Sequence, residues 1–573
     1  MRRSRTSRML RGVALVVAAL LLPACAGLPM AGDVAAGLPL GESPQDVDIL
    51  PVASGPISGA GPQKIVEGFL EAGITTADNW ETARKFLAEP LQQTWRPSAG
   101  VSIDVATDSR TITASVPDDE VEDVNSAEVQ VLLDLVASVD EFGEYSEAVG
   151  ASPVRFALER QEDGEWRITE APDGIVIDDP RFTKVFDGYP LQYFDASWSR
   201  LVPDMRWFPR RLSPATTVTK ALISGAPSAW LDPAVQNAFP ADVQLAQEAV
   251  PITSAQVAEV ALTRSASGLD GRTLSRMRTQ LQATLKAAGV SVSEVRFTVD
   301  DRALDAGVVD VAEPAAEAGT LVVKDGAFGR IVGGEISPIS GISDQIAEIA
   351  EPLAAIEVAA DDSRAAVQLA DGRAFLLRET GRDELAAGPG LIAPSLDRYG
   401  YVWTVPGTDP TALRVWGDDV APLPVKNAWP SASSISDLRV AADGARIAAV
   451  IMVGGQRWLV VAAVVRDSDG VPTALDEIKQ LRLLDGAATG LSWLGPDRLG
   501  VLVDPMNPRI VTQIVSGPGL VEAAPGEAVS FAGARAPAGA RVLGSGGQLF
   551  AHAGSAWREV ATGVTLLATR AGE

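Results

Sequence analysis

The sequence predicts a multidomain protein in which two small α+β domains are followed by an all-β propeller. Up to about residue 310, segments with a helical apolar period are interspersed with short runs that alternate apolar and polar residues. Beyond Leu321 the helical period largely disappears, and short apolar strands recur between turns. Four of these open alike, at Asp362-Ser363-Arg364, Asp397-Arg398-Tyr399, Asp443-Gly444-Ala445 and Asp497-Arg498-Leu499, with their acidic residues 35, 46 and 54 positions apart. Repeats of roughly 40 to 50 residues with about four strands each point to a β-propeller, and the length available gives about five to seven blades.

The chain opens with Arg2, Arg3, Arg5, Arg8 and Arg11, an apolar run from Val13 to Leu22, and the small residues Ala24-Cys25-Ala26-Gly27. A basic segment before about ten apolar residues is a secretory signal, too short for the roughly 20 residues that span a hydrocarbon core. Residues 1–24 are therefore expected to be removed as the chain leaves the cytoplasm. Arg2-Arg3 starts like a twin-arginine signal, but the residues after it do not extend the motif. Leu22-Pro23-Ala24-Cys25 resembles the bacterial lipobox, which implies that Cys25 becomes the first residue and carries S-diacylglycerol and an N-palmitoyl chain. A stable anchor needs more than one acyl chain, each buried methylene contributing about 0.8 kcal/mol. Cleavage after Ala24-Cys25-Ala26 also fits the small-x-small rule and would discard the cysteine. Lipidation is preferred because Cys25 is the only cysteine in 573 residues.

Removal of the signal strips five arginines from 48 basic side chains, so 43 face 74 acidic ones. Phosphate backbones are bound by neutralising cations, which argues against nucleic acid and anionic headgroups as partners and leaves membrane attachment to the lipid. One cysteine and one histidine, His552, exclude disulfides, Cys/His zinc sites and a cysteine protease dyad. Carboxylate-based hydrolysis, calcium binding or no catalysis remain open.

Residues 26–61 hold five prolines and no sustained period, so 25–61 reads as a lipidated tether. The first α+β domain is placed at 62–184. Pro62 suits a first helical turn, and Ile65, Val66, Phe69 and Leu70 share one helical face. A second short helix near Asp78 or Asn79 is expected to carry Trp80, Phe86 and Leu87 inward. Alternation then predicts strands through Val101, Ile103 and Val105, through Ile112, Ala114 and Val116, and through Val129, Val131, Leu133 and Leu135. Val154 to Leu158 and Trp166 to Ile168 flank Asp163-Gly164 as a hairpin.

The second α+β unit is placed at 185–312. Its aromatics, Phe186, Tyr189, Tyr193, Phe194, Trp198, Trp207 and Phe208, read as a core and a domain junction. Pairing with the first domain through them would let a propeller begun near residue 315 fold alone, while a 185–310 fragment aggregates. Ala221 to Gly225 reads as a capping turn in front of a strand through Val257, Val260 and Leu262. Leu274, Met277, Leu281 and Leu285 predict a helix over Thr273 to Ala288, ended by Gly289, with a strand from Val290 to Val299 behind it. The propeller is placed at 313–573.

No chemistry stands out. There is no Gly-x-Ser-x-Gly elbow, and every histidine-based triad would need His552, which sits in a predicted strand. Gly388-Pro389-Gly390-Leu391-Ile392-Ala393 lacks the strand, turn and helix of a dinucleotide loop and reads as an inter-blade loop. Asp467-Ser468-Asp469-Gly470 lacks a full calcium ligand series, and the Asp-Gly turns of the repeats read as hairpin geometry. Asp118-Asp119-Glu120 and Asp178-Asp179 read as solvated loops. No catalytic, cofactor or metal residue is assigned.

The order of lipobox, small α+β domain, aromatic-rich α+β unit and propeller resembles the actinobacterial lipoprotein family LpqB. Ala221 to Gly225, the helix containing Gln280-Leu281-Gln282-Ala283-Thr284-Leu285 and the strand Val295 to Val299 look like the family's GerMN domain, and Val154 to Ile168 is similar to the closing hairpin of its amino-terminal domain. The resemblance implies a membrane-anchored, extracytoplasmic accessory of a two-component system. Its partner would be the extracellular domain of an MtrB-type sensor histidine kinase, with effects on cell-wall homeostasis and division. It supplies no catalytic residue, and Cys25 is the one position that carries over with a chemical role. The alternative is an envelope protein that binds or processes cell-wall glycan at the propeller mouth; Asp, Glu and Trp around that mouth would favour it.

Overall fold

The computed structural model describes residues 53–572 apart from 118–120, 123, 211–212, 313–318, 386–387 and 555. The signal segment, Cys25, most of the tether and Asp118-Asp119-Glu120 lie outside the described residues. The last part of the tether is bonded to the first domain, with Ser58 Oγ donating to Glu165 Oε1 at 2.7 Å.

Helix α1 (Pro62–Gly73) starts on proline and buries the expected Ile65, Val66, Phe69 and Leu70. Trp80, Phe86 and Leu87 are buried as expected, but Trp80 from a 3-10 turn and Phe86 and Leu87 from just beyond a single helical turn, where Leu87 bridges to Ile168. These elements pack on a sheet of β1 (Gly100–Asp104), β2 (Thr111–Ala114), β3 (Ser126–Asp140), β4 (Tyr145–Arg160), β5 (Trp166–Glu170) and β6 (Ile175–Asp178), ordered β5-β4-β3-β1-β6 with β2 also on β3. Val105 falls beyond the end of β1 and is 43% exposed, and the inward alternation of β3 is reset by an irregularity between Leu135 and Ala137. The β3–β4 hairpin is far longer than its apolar pattern announces, because half of each strand faces solvent. Asp178 is a correction. It caps helix α2 (Asp179–Val185), accepting from Arg181 N at 3.0 Å, Arg181 Nε at 2.6 Å and Thr107 Oγ1 at 2.7 Å, and is buried rather than solvated.

The second unit pairs β7 (Phe186–Asp195) with β8 (Leu201–Pro209) and β9 (Val235–Gln236), beside a smaller sheet of β10 (Val257–Ala261), β11 (Glu294–Val299) and β12 (Arg302–Ala303). Ala221 to Ser224 form the last turn of α3 (Pro214–Ser224), and Gly225 N closes it on Ala221 O at 3.0 Å. Helix α4 (Gly271–Ala287) is N-capped by Asp270, buries Leu274, Met277, Leu281 and Leu285, and is followed by Gly289 at φ +74°. Residues 290–293, read as strand, precede β11 as a loop, since β11 begins at Glu294 where pairing with β10 starts.

Among the described residues the propeller has six sheets. The innermost strands of sheets 2 to 6 are Leu353–Val358, Ser395–Leu396, Ser434–Val440, Ala488–Trp493 and Ala528–Ala532. In sheet 1 this place is taken by Val564–Leu567, which pairs antiparallel with Leu321–Lys324, so the carboxyl-terminal segment closes the ring. The chain then crosses to sheet 2, where Thr569–Arg570 pairs parallel with Leu353–Val358, and reaches sheet 4 through a bridge from Gly572 to Ala441. Glu357 staples this crossing: buried, it accepts from Ser395 Oγ at 3.1 Å, Leu396 N at 2.8 Å and Thr569 Oγ1 at 3.1 Å, with Arg439 Nε 3.5 Å away.

Aromatic rings join the domains. Phe182 of the first domain lies 5.2 Å from Phe186 and 5.1 Å from Trp207 of the second, and Tyr145 lies 6.3 Å from Trp207. The Trp207 Nε1–H reaches further, donating to Ser516 O of propeller sheet 5 at 2.8 Å. At the tip of the β3–β4 hairpin Gly143 has φ +82°, and a Cβ there would stand 2.9 Å from Trp207 O, so only glycine lets the tip approach. Lys479 of sheet 4 donates to Glu144 Oε1 of this hairpin at 2.7 Å. Leu231 and Ala234 belong to one apolar cluster with Leu459 and Val461 of sheet 4 and Leu491 and Val501 of sheet 5. This shared core shifts the expectation for an isolated propeller: cut free, it would uncover apolar surface that the second unit now occupies.

Candidate functional site

The largest concavity described is a cavity of about 1140 Å³ between the second unit and one mouth of the propeller. The second unit contributes the start of β8, one face of α4 and the segment around Val309 to Ala312; the propeller contributes the repeated turns at Asp361 to Arg364, Asp397 to Gly400 and Ala441 to Arg446. These turns join the first and second strands of sheets 2, 3 and 4, which is why sequence repetition places them on one face.

The lining is basic in an acidic chain. Arg200, Lys286, Arg364, Arg398, Arg446 and Arg535 line it against Asp361, Asp397 and Asp443, whereas the whole sequence carries a net charge of −26. The carboxylates are committed to their own turns. Asp361 Oδ1 accepts from Ser363 N at 3.0 Å and Ser363 Oγ at 2.7 Å. Asp397 Oδ1 takes Tyr399 N at 2.9 Å and Tyr401 N at 3.0 Å, while its Oδ2 takes Trp403 Nε1 at 3.1 Å and Arg466 Nη2 at 2.7 Å. Asp443 holds Ala445 N at 2.8 Å and Arg446 Nε and Nη2 at 3.0 and 2.6 Å. The reading of these aspartates as turn geometry stands.

The cations are less fully matched. Arg364 pairs with the exposed Asp418 at 2.8 Å. Arg398 Nη1 is 3.8 Å from Asp195 Oδ2, an oxygen that also accepts from Ser197 Oγ at 2.5 Å. Arg398 and Arg466 both stand over the Tyr399 ring, at 4.7 and 4.2 Å. Arg446 is 1% exposed, lies 4.9 Å over the Trp493 ring, and leaves Nη1 without a hydrogen-bond partner. Arg200 Nε and Arg398 Nε are likewise buried and unpartnered. Burial first, and then the nearby Arg398 charge, push the Arg200 guanidinium below its ordinary range.

The other positions raised by the sequence stay apart. His552 lies on the sixth sheet, with Nδ1 2.9 Å from Gly554 O and its ring edge-on to Trp557 at 4.5 Å. Gly388 to Ala393 joins sheets 2 and 3, and Asp467 to Gly470 is a hairpin turn whose Asp467 Oδ1 accepts from Asp469 N and Val471 N. Trp403, Trp416, Trp429 and Trp493 are fully buried, and the cavity lining contains no tryptophan. Among the described residues no group of three His, Cys, Asp or Glu side chains converges on a metal position. Reading the repeats for their aspartates passed over the arginines. Each repeat carries one within three residues of its acid, at Arg364, Arg398, Arg446 and Arg498. That was the available signal, and it identified three of the six basic side chains.

Three family models match in succession: the amino-terminal domain of lipoprotein LpqB over residues 55–183, a model described as sporulation and spore germination over 190–305, and the LpqB β-propeller domain over 326–566. The chain belongs to the LpqB lipoprotein family. The LpqB lipoprotein of Cutibacterium acnes is 26% identical over 99% of this chain and 100% of its own length. That of Streptomyces coelicolor is 28% identical over 84% of each chain. Among solved structures the chain is similar to the Myceliophteria thermophila Cps50 (Swd1) β-propeller domain, with a TM-score of 0.26 and 10% identity over 34% of this chain and 68% of that one. The propeller assignment rests on the sheet order and the LpqB propeller model instead. No helix among the described residues is long and apolar enough to cross a membrane.

Proposed function

We propose that this protein is anchored through a lipidated Cys25 on the extracytoplasmic face of the cell membrane and acts without catalysis as an accessory of a two-component system. In this reading it binds the extracellular domain of an MtrB-type sensor histidine kinase and thereby modulates cell-wall homeostasis and division. The observation that carries it is the locked arrangement of three domains around Trp207, Lys479 and their shared core, a form suited to presenting surfaces in a fixed relation. Membership of a lipoprotein family supports the anchor. Two proteins held on one membrane face meet at a raised effective concentration, so a modest intrinsic affinity suffices. The accessory biases signalling only through different affinities for the kinase's two states, and a few kcal/mol is enough. The glycan alternative is less well supported, because Trp403, Trp416, Trp429 and Trp493 are buried in the propeller and the cavity lining holds no tryptophan.

The test is in-cell crosslinking of the tagged full-length protein followed by mass spectrometry, beside a Cys25→Ala control. Selective recovery of a sensor kinase's extracellular domain, weakened in the control, is expected. Recovery of wall polymers or their synthesis enzymes with no kinase would replace this reading with the glycan one.

A further inference from the structure

We propose that the cavity between the second unit and the propeller mouth is a binding site for a phosphorylated small molecule, with Arg200 meeting the phosphate and Arg398 and Arg446 beside it. The inference does not depend on the kinase reading, since it concerns a ligand held between two domains of this chain alone.

The argument starts from charge. A chain with 74 acidic against 48 basic side chains gathers six of the basic ones around one cavity. Of its three lining carboxylates, Asp397 and Asp443 are engaged on both oxygens by turn amides, Trp403, Arg446 and Arg466, and Asp361 is engaged through Oδ1 by Ser363. Placing guanidiniums together in a partly buried space is costly unless an anion offsets them. Asp195 offsets Arg200 only in part: its Oδ1 accepts the backbone N–H groups of Ser199 and Arg200, both at 2.8 Å, and its Oδ2 faces Ser197, Tyr399 and Arg398, so burial and the Arg398 charge outweigh its attraction for the Arg200 guanidinium. The Arg200 side chain thus keeps its donors, while its backbone is fixed by the same turn.

Arginine rather than lysine predominates in this lining. The planar guanidinium fork presents paired donors to tetrahedral phosphate oxygens, which favours phosphate over a halide or a lone carboxylate. The volume of about 1140 Å³ exceeds what a free phosphate needs and suits a ligand of a few hundred daltons. Leu201, Pro203, Val309 and Val311 supply apolar wall, and Gln192 and Gln282 supply polar edges for the organic part. The carrier of the phosphate is a sugar or a lipid headgroup, and the two are separable by competition.

The experiment is isothermal titration of the full-length protein in detergent with inorganic pyrophosphate, at about 150 mM salt to screen loose surface binding. Saturable one-to-one binding is expected, weakened about tenfold or more in Arg200→Ala, the loss of a charge-assisted contact. Because Arg200 gives up no side-chain hydrogen bond, and its attraction to Asp195 is opposed by burial and by Arg398, the melting temperature of the unliganded variant should stay close to the parent's. Lys286→Ala, an exposed wall position, provides a second variant and is expected to weaken binding by a smaller factor. Displacement of pyrophosphate by glucose 1-phosphate identifies a sugar phosphate, and displacement by dihexanoyl phosphatidic acid identifies a lipid headgroup. No saturable binding up to about 5 mM, several times the roughly 1 mM Kd of a weak ligand, overturns the proposal. So does pyrophosphate binding unchanged in both variants, or citrate binding as tightly as pyrophosphate.

Discussion

Trp207 is the place where one side chain holds three domains, and its removal can be worked through. The indole is 5% exposed, packs against Phe182 and Tyr145 of the first domain, and donates to Ser516 O of the propeller at 2.8 Å. Trp207→Phe keeps most of the ring contacts and loses the hydrogen bond, leaving a buried carbonyl unpaired, a cost of about 1–3 kcal/mol. Trp207→Ala also opens a cavity, and a large-to-small change of this kind costs about 3–5 kcal/mol. The pattern matters more than the total. If Trp207 couples the domains, urea unfolding monitored by far-UV circular dichroism and by limited proteolysis should pass from one transition in the parent to two in Trp207→Ala, with the propeller separating from the amino-terminal domain. Trp207→Phe should move the midpoint while keeping a single transition. A Trp207→Ala protein that still unfolds in one step, within about 1 kcal/mol of the parent, would refute the coupling, because a buried hydrogen-bonded indole cannot be removed so cheaply.

Three further outcomes are expected. Burial raises the Glu147 carboxyl to about 7, with Arg482 opposing and Asp179 reinforcing the shift. A carboxyl raised in the folded state is protonated there while already ionised in the unfolded chain, so its ionisation cost grows as pH rises from about 4.5 to 7. Glu147→Gln should therefore match the parent near pH 4.5 and melt higher at pH 8; equal melting temperatures at pH 8 would show that the hairpin-to-propeller contact solvates Glu147 fully. Glu357→Ala should cost about 3–5 kcal/mol, since it strands Arg439 and the donors of Ser395, Leu396 and Thr569 in the propeller interior; hydrogen exchange should quicken first at residues 569–572, and protection unchanged there would count against the staple. A propeller fragment begun near residue 315 should bind a hydrophobic dye and melt below the full protein, and a melting temperature equal to the parent's would mean the shared core adds nothing.

The legible parts of the fold are those whose pattern is local. Helix α4 could be placed to within two residues at its start and one at its end because the i, i+3 and i, i+4 apolar steps and Gly289 lie within one stretch of chain, while its cap Asp270 went unread. The propeller could be read from its repeated turns, but its blade number could not. Sheet 3 is built from strands of two and three residues, whereas sheet 4 uses strands of seven to twelve, and so the spacing of the repeats is uneven. Asp178 looked like a solvated loop because nothing near it in sequence reveals Thr107, whose hydroxyl meets it across the sheet. The cavity was invisible for the same reason. Arg200 precedes β8 while Arg398 and Arg446 sit in two different blades, and only the docking of the second unit on the propeller mouth brings them together.

The path of the last residues sets an order of events for the chain. Val322 of sheet 1 pairs with Leu567, and the segment that follows also links sheets 2 and 4. Until that segment arrives, sheet 1 lacks its inner strand, and sheets 2 and 6 lack the strand they pack against on that side. Such distant pairings fold late, because the entropy of closing the long intervening chain must be met before the contacts are gained. A nascent chain, made amino end first, would therefore remain an open arc until almost its last residues. Only at the end would it snap into a ring.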